Sequence, residues 1–209
     1  PNNELKYIIK RGQVYEQIVK TAIEESAELI VSGTHGVSGF REFWMGSNAF
    51  RLIMASTLPV LTIREQTPLK GHLERIVLPV DSTIETRQKT DVAADLAEVF
   101  DAEIHVLSLF STSVEDIRKL VDSYAKDTIK YLKKRGVRYK FAEREGNNIT
   151  NMTLDYARET EANLIIIMTE QEIKTANLWM GTYARQMINH SEFPVLSIKP
   201  KAFIESMNA

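Results

Sequence analysis

Gly33-Thr34-His35-Gly36 follows an apolar run, and nine residues after Gly36 the chain reads Gly46-Ser47-Asn48, a spacing of G-x2-G-x9-G-S. Glycines after a strand let backbone N–H groups approach an anion with no Cβ in the way. Gly46 and Ser47 then open a helix, whose unpaired N–H groups and partial positive charge attract phosphate. Ser47 can cap that helix or donate its hydroxyl to a phosphate oxygen, and Asn48 shares the same first turn. Taken alone, three glycines and a serine fit a tight turn with an ordinary N-cap better than a ligand site. Neither a G-x4-G-K-[ST] loop nor a G-x-G-x-x-G fingerprint is present.

The elements that must hold this loop emerge from sliding the sequence along itself. At an offset of 135, residues 27–64 and 162–199 are identical at 14 of 38 positions without a gap. The shared positions include Trp44-Met45-Gly46 with Trp179-Met180-Gly181, Ser56 with Ser191, and Pro59-Val60-Leu61 with Pro194-Val195-Leu196. Such a period is too long for a solenoid and suits two domains.

In the second repeat, strands are expected at Arg75–Val80, Glu103–Leu109, Val137–Ala142, Asn163–Met168 and Pro194–Lys199. Helices are expected at Glu85–Phe100, Ile149–Glu159, Thr182–Asn189 and from a capping box at Thr112 or Ser113 to Gly136, with Val114, Ile117, Leu120, Val121, Tyr124, Thr128 and Tyr131 on one face. This alternation predicts a parallel sheet covered on both faces and a doubly wound α/β fold. The first repeat reads as the second half only: strand Tyr7–Ile9, helix Val14–Glu25, strand Glu28–Ser32, helix Ser47–Ala55 and strand Val60–Arg64. The expected division is therefore 1–64, a linker over 65–71 carrying Pro68 and Gly71, a complete module over 72–200, and a tail over 201–209.

Composition removes several classes. The chain has 209 residues, no Cys and a formal charge of −2, which excludes thiolate catalysis, disulfide scaffolds and adhesion to nucleic acid through bulk positive charge. No apolar run approaches the ~18–20 residues of a membrane-spanning helix, so a cytoplasmic setting with no membrane partner is expected. The histidines His35, His72, His105 and His190 lack metal spacing, and no G-x-S-x-G elbow occurs. Lys130, Lys133, Lys134, Arg135, Arg138 and Lys140 read as a solvated helix end and its exit. The first residue is Pro1, which suggests a fragment.

The stretch Val31–Arg64, with its glycine spacing and Ser56-Thr57-Leu58-Pro59-Val60-Leu61, resembles the universal stress protein family in its tandem form. Val80-Asp81-Ser82 and Phe193-Pro194-Val195-Leu196 extend the resemblance through the second repeat. It implies a five-stranded parallel sheet of order 3-2-1-4-5, binding of ATP or ADP with Mg2+ as a companion ion, pairing of modules through their last strands, a homodimer as a further option, and no settled catalytic activity. Carried over residue by residue, Gly33, Thr34, His35, Gly36, Gly46, Ser47 and Asn48 become the cofactor-binding set. Asp81 matches the aspartate near the adenosine end, which the first repeat lacks. In the second repeat Met168 and Gln171 replace two glycines, with Glu170 and Glu172 beside them, so side chains and like charge are expected to exclude a pyrophosphate there. Two alternatives stand beside this reading: a nucleotide-independent dimerisation module, and a slow ATPase or phosphotransferase.

Overall fold

Leu164-Ile165-Ile166-Ile167-Met168 is buried at every position, the signature of a strand covered on both faces. It lies inside one sheet of an α/β fold in a computed structural model that describes residues 5–34, 46–65, 67, 71–169 and 181–201. The order is α1 (Val14–Glu24), β1 (Ile30–Gly33), α2 (Ser47–Ala55), β2 (Val60–Ile63), β3 (Arg75–Val80), a 3-10 turn (Ile84–Arg87), α3 (Thr90–Phe100), β4 (Glu103–Phe110), α4 (Glu115–Arg135), β5 (Tyr139–Glu145), α5 (Ile149–Glu159), β6 (Leu164–Met168), α6 (Thr182–His190) and β7 (Val195–Ile198). The strands are arranged β1-β2-β7-β6-β3-β4-β5. Within the second repeat this places the strands third, second, first, fourth, fifth across the sheet. Every neighbouring pair is parallel except β2 with β7.

That antiparallel pair carries a local two-fold relation. Val60 faces Ser197, Leu61 faces Leu196 and Thr62 faces Val195. Subtracting 135 from each second-repeat number turns these into 62, 61 and 60, so Leu61 meets its own equivalent at the centre. Directly opposed residues of an antiparallel pair point to the same side, and both leucines join the apolar layer beneath α3 and α4. The opposite face is covered by α2, α5 and α6 through Leu52, Ile53, Leu154, Met187 and Ile188.

Several local expectations need correction. Tyr7–Ile9 forms no strand, and Tyr7 and Ile9 are 89% and 96% exposed. Its equivalent in the second repeat lies in β5, which is held by seven register pairs with β4; the described residues of the first repeat offer no such neighbour, and an unpaired strand leaves its ladder groups without partners. Glu85–Phe100 divides into a 3-10 turn and α3 because Thr86 Oγ1 accepts from Asp81 N at 3.3 Å and from Lys89 Nζ at 2.9 Å. The capping box fails: Val114 occupies the N-cap of α4 without a side-chain bond, while Thr112 Oγ1 accepts from Val114 N. Val121, Ala125, Thr128 and Leu132 form the buried face of α4, and Val114, Ile117 and Leu120 stay largely exposed. Gly136 closes α4 at φ 72°, the left-handed position where glycine carries no Cβ penalty. The basic cluster at the end of α4 is solvated as expected, with surface ion pairs from Arg135 to Asp95 and Glu98, Arg138 to Asp101, and Lys140 to Glu103.

Candidate functional site

β1 delivers Gly33 to the carboxyl end of the sheet, and the next residue anchors the loop. Thr34 is buried; its N–H donates to Ile63 O at 3.1 Å, and its carbonyl accepts from Gly46 N at 2.9 Å. The two ends of the loop are thus tied at one point, immediately before α2 begins at Ser47. A Cβ on Gly46 would stand 3.2 Å from Thr34 O, so a side chain there strains the tie. Gly46, at the N-cap, has no side chain to cap α2, which among the described residues leaves the first-turn N–H groups of Ser47 and Asn48 to an incoming acceptor. Gly33, Thr34, Gly46, Ser47 and Asn48 are therefore brought together. His35 and Gly36 lie outside the described residues, as does Trp44.

The second repeat keeps the same tie. Thr169 N donates to Ile198 O at 2.9 Å, Gly181 N donates to Thr169 O at 3.0 Å, and α6 starts at Thr182. Gly46 and Gly181 share nearly one backbone conformation, φ −56°, ψ 146° against φ −54°, ψ 148°. The expectation that Met168 obstructs a phosphate site is corrected: its side chain is buried in the layer that also holds Ile166 and Ile198. Glu170, Gln171, Glu172 and Trp179 lie outside the described residues.

A cleft of about 190 Å3 opens at the carboxyl ends of β3 and β4. Its polar wall is Asp81, Ser82, Thr83, Ser111 and Thr112, and its apolar wall includes Leu109, Phe110, Ile117 and Val121. Asp81 Oδ1 accepts from Thr83 N at 2.9 Å and from Thr83 Oγ1 at 2.5 Å, which fixes the carboxylate. Behind it, Lys89 is only 3% exposed, and burial pulls its ammonium down to about 8, against the opposing attraction of Asp81. Tyr183, also buried, is raised for the same reason, and its hydroxyl lies 3.2 Å from Thr153 Oγ1. Sequence reasoning reached Asp81 and missed Lys89 and Arg118, a further residue of the cleft wall. Arg118 sits one turn into a surface helix, where its spacing looks like any solvated position. No group of three or more His, Asp or Glu side chains placed to hold a metal occurs among the described residues.

The sequence model of the universal stress protein family matches residues 1–64 and 72–199. The chain belongs to that family. Universal stress protein MJ0577 of Methanocaldococcus jannaschii is 35% identical over 63 residues, which are 30% of this chain and 39% of that protein. The chain thus spans about two-fifths of that relative. A crystal structure of a putative universal stress protein from Pseudomonas aeruginosa UCBPP-PA14 superimposes with a TM-score of 0.71 at 17% identity, over 94% of this chain and 72% of that one. A universal stress protein solved in complex with cAMP gives a TM-score of 0.50 at 16% identity, over 62% of this chain and 98% of that one. These likenesses establish the fold, and the paired segments of the family match establish the tandem form. In this universal stress protein, then, the repeats meet edge to edge at β2 and β7, with both helix-starting glycines tied to the preceding strand.

Proposed function

We propose that this universal stress protein holds an adenine nucleotide, ATP or ADP, with its phosphates on the glycine loop of the first repeat and Mg2+ entering only as the nucleotide's companion. The observation that carries this reading is the Thr34–Gly46 tie, a bond of 2.9 Å at a position where a Cβ would press on Thr34 O at 3.2 Å; the second repeat shares the tie, and Gly33 and Gly36, replaced there by Met168 and Gln171, favour the first. It places an uncapped helix start beside the strand end, the arrangement that suits an anion. Gly33, Thr34, His35, Gly36, Gly46, Ser47 and Asn48 form the binding set, and the second repeat serves mainly as a scaffold. The role is occupancy rather than turnover. A nucleotide changes the surface that the loop offers to partners, in a cytoplasmic stress response, and pairing of modules through last strands leaves room for a homodimer.

A second reading is favoured by the cleft beside Asp81. Open α/β sheets take ligands outside the carboxyl ends of their strands, and here a fixed carboxylate and several hydroxyls line such a place. On that reading the second repeat holds the nucleoside end of an adenine nucleotide. Titration with a fluorescent ATP analogue separates the two. Loss of binding in Gly46→Val with retention in Asp81→Asn supports the first reading; the reverse pattern supports the second.

A further inference from the structure

β1 and β5 are the two outer strands of the sheet, and they are built differently. β5 carries Lys140, Glu143, Arg144 and Glu145 along its length, charges that discourage a further strand. β1 reads Ile30-Val31-Ser32-Gly33 and carries none. Its pairing with β2 uses one side of the backbone: Ile30 N donates to Pro59 O at 3.0 Å and Thr34 N to Ile63 O at 3.1 Å. The alternation of a strand turns the N–H and C=O of Val31 the other way, where no strand lies among the described residues. The second repeat shows the same strand covered. There Ile165 N donates to Pro194 O at 3.0 Å, as Ile30 does to Pro59, and β3 runs parallel along the other side, with Ile76 beside Leu164 and Val77 beside Ile165. Ala93, Ala94 and Ala97 of α3 share one apolar layer with Ile76, Leu164 and Ile166. Ile166 and Leu164 are accordingly 0% and 5% exposed, whereas their equivalents Val31 and Leu29 are 59% and 38% exposed.

We infer that the open side of β1 is a docking surface for a strand–helix segment of a separate protein. The incoming strand is apolar and runs parallel to β1, bonding to the backbone of Val31. Its helix carries small residues on the face that comes down over the Val31 side chain. β3 and α3 are the pattern for this occupant, because the two repeats set equivalent strands in equivalent positions and only one of them is covered. A second copy of this chain does not supply it, since its own β3 is already paired on both sides, with β4 and β6. Main-chain bonds give affinity in this mode of recognition, and side chains at alternate positions give selectivity. The surface lies along the flank of β1 and depends on neither reading of the nucleotide site.

The probe is a labelled synthetic peptide of residues 72–101, which carries the sequence of β3 and α3, added to the full chain. Fluorescence anisotropy is expected to show one peptide bound per chain, and a scrambled peptide of the same composition is expected not to bind. Amide hydrogen exchange at Val31 should slow on binding, while Ile166, already covered, stays unchanged. Val31→Asp puts a charge beneath the incoming helix and is expected to weaken the peptide about tenfold or more. Val31 is exposed in the free chain, so this variant should melt within a few degrees of wild type. Phe141→Asp, on the charged outer strand β5, is expected to leave binding unchanged. Equal binding to wild type and Val31→Asp, exchange at Val31 untouched by saturating peptide, or no peptide binding at all overturns the inference. A full chain that dimerises by itself and is returned to monomers by Val31→Asp also overturns it, because the occupant is then a second copy.

Discussion

Arg64 donates from Nη1 to the main-chain oxygen of Asn189 at 3.0 Å, reaching across the seam to the last turn of α6. The relation is repeated 135 residues later, where Lys199 donates to the main-chain oxygen of Met54 near the end of α2. Each repeat thus places a cation on the carbonyl end of the other repeat's helix, where unpaired oxygens and the helix dipole favour positive charge.

This reciprocity makes the seam testable. Arg64→Ala is expected to lower unfolding free energy by about 1.5–3 kcal/mol, the usual scale for a hydrogen bond from a charged donor. Lys199→Ala should cost a similar amount. Leu61→Pro should be worse than either, because it removes a ladder N–H from the middle of β2, a strand paired on both sides. Urea denaturation of each variant checks the ranking.

Lys89 predicts an unusual alkaline response. Its ammonium is held down to about 8 when folded, while an unfolded lysine titrates near ~10.4. Between those values the unfolded chain binds more protons, so the Lys89 contribution makes stability rise with pH over that window and lowers it below about pH 8. The full effect is on the order of 3 kcal/mol. Thermal unfolding at pH 7, 8, 9 and 10 should show this rise in wild type and lose it in Lys89→Met.

His105 predicts the opposite end of the scale. Its Nδ1 lies 2.9 Å from Tyr156 Oη and its Nε2 lies 3.1 Å from Glu103 Oε1, and burial holds its pKa below the ordinary value. A folded state that keeps this imidazole neutral loses stability as pH falls below the unfolded value of ~6.5. His105→Gln should flatten the stability profile between pH 7 and pH 5 compared with wild type. A histidine NMR titration that places His105 above pH 7 contradicts this.

Much of the molecule was legible because the repeat prints the same physics twice. Ser47–Ala55 and Thr182–His190 begin at equivalent residues, and Ser56 and Ser191 make the same turn, each hydroxyl donating 2.9 Å to the carbonyl two residues on. What sequence periodicity missed lies where tertiary neighbours decide. Tyr7–Ile9 has strand-forming residues and no strand to pair with, and Ile117 has helical spacing yet stands at the cleft rather than in the core. Arg118 and Glu145 are 27 positions apart in sequence, and nothing in either segment announces their meeting. The Thr34–Gly46 tie was foreshadowed by the glycine alone; the carbonyl that demands it belongs to a residue whose type carries no signal.

Gly46 separates a structural glycine from a ligand-serving one. Gly46→Ala should cost about 1 kcal/mol or less of stability, since Thr34 O has only a few tenths of an ångström to yield. It should weaken ATP more than that stability loss explains if α2's first turn meets phosphate. Parallel melting and ATP titration of the one variant give both numbers.

The most direct test is a 1H–15N spectrum of the full chain titrated with ATP. The account predicts that the backbone amides of Gly33, Gly46, Ser47 and Asn48 shift together and saturate, while those of Gly181 and Thr182 remain still. Shifts confined to Gly181, Thr182 and the Asp81 turn, with the first repeat unmoved at saturation, would contradict it.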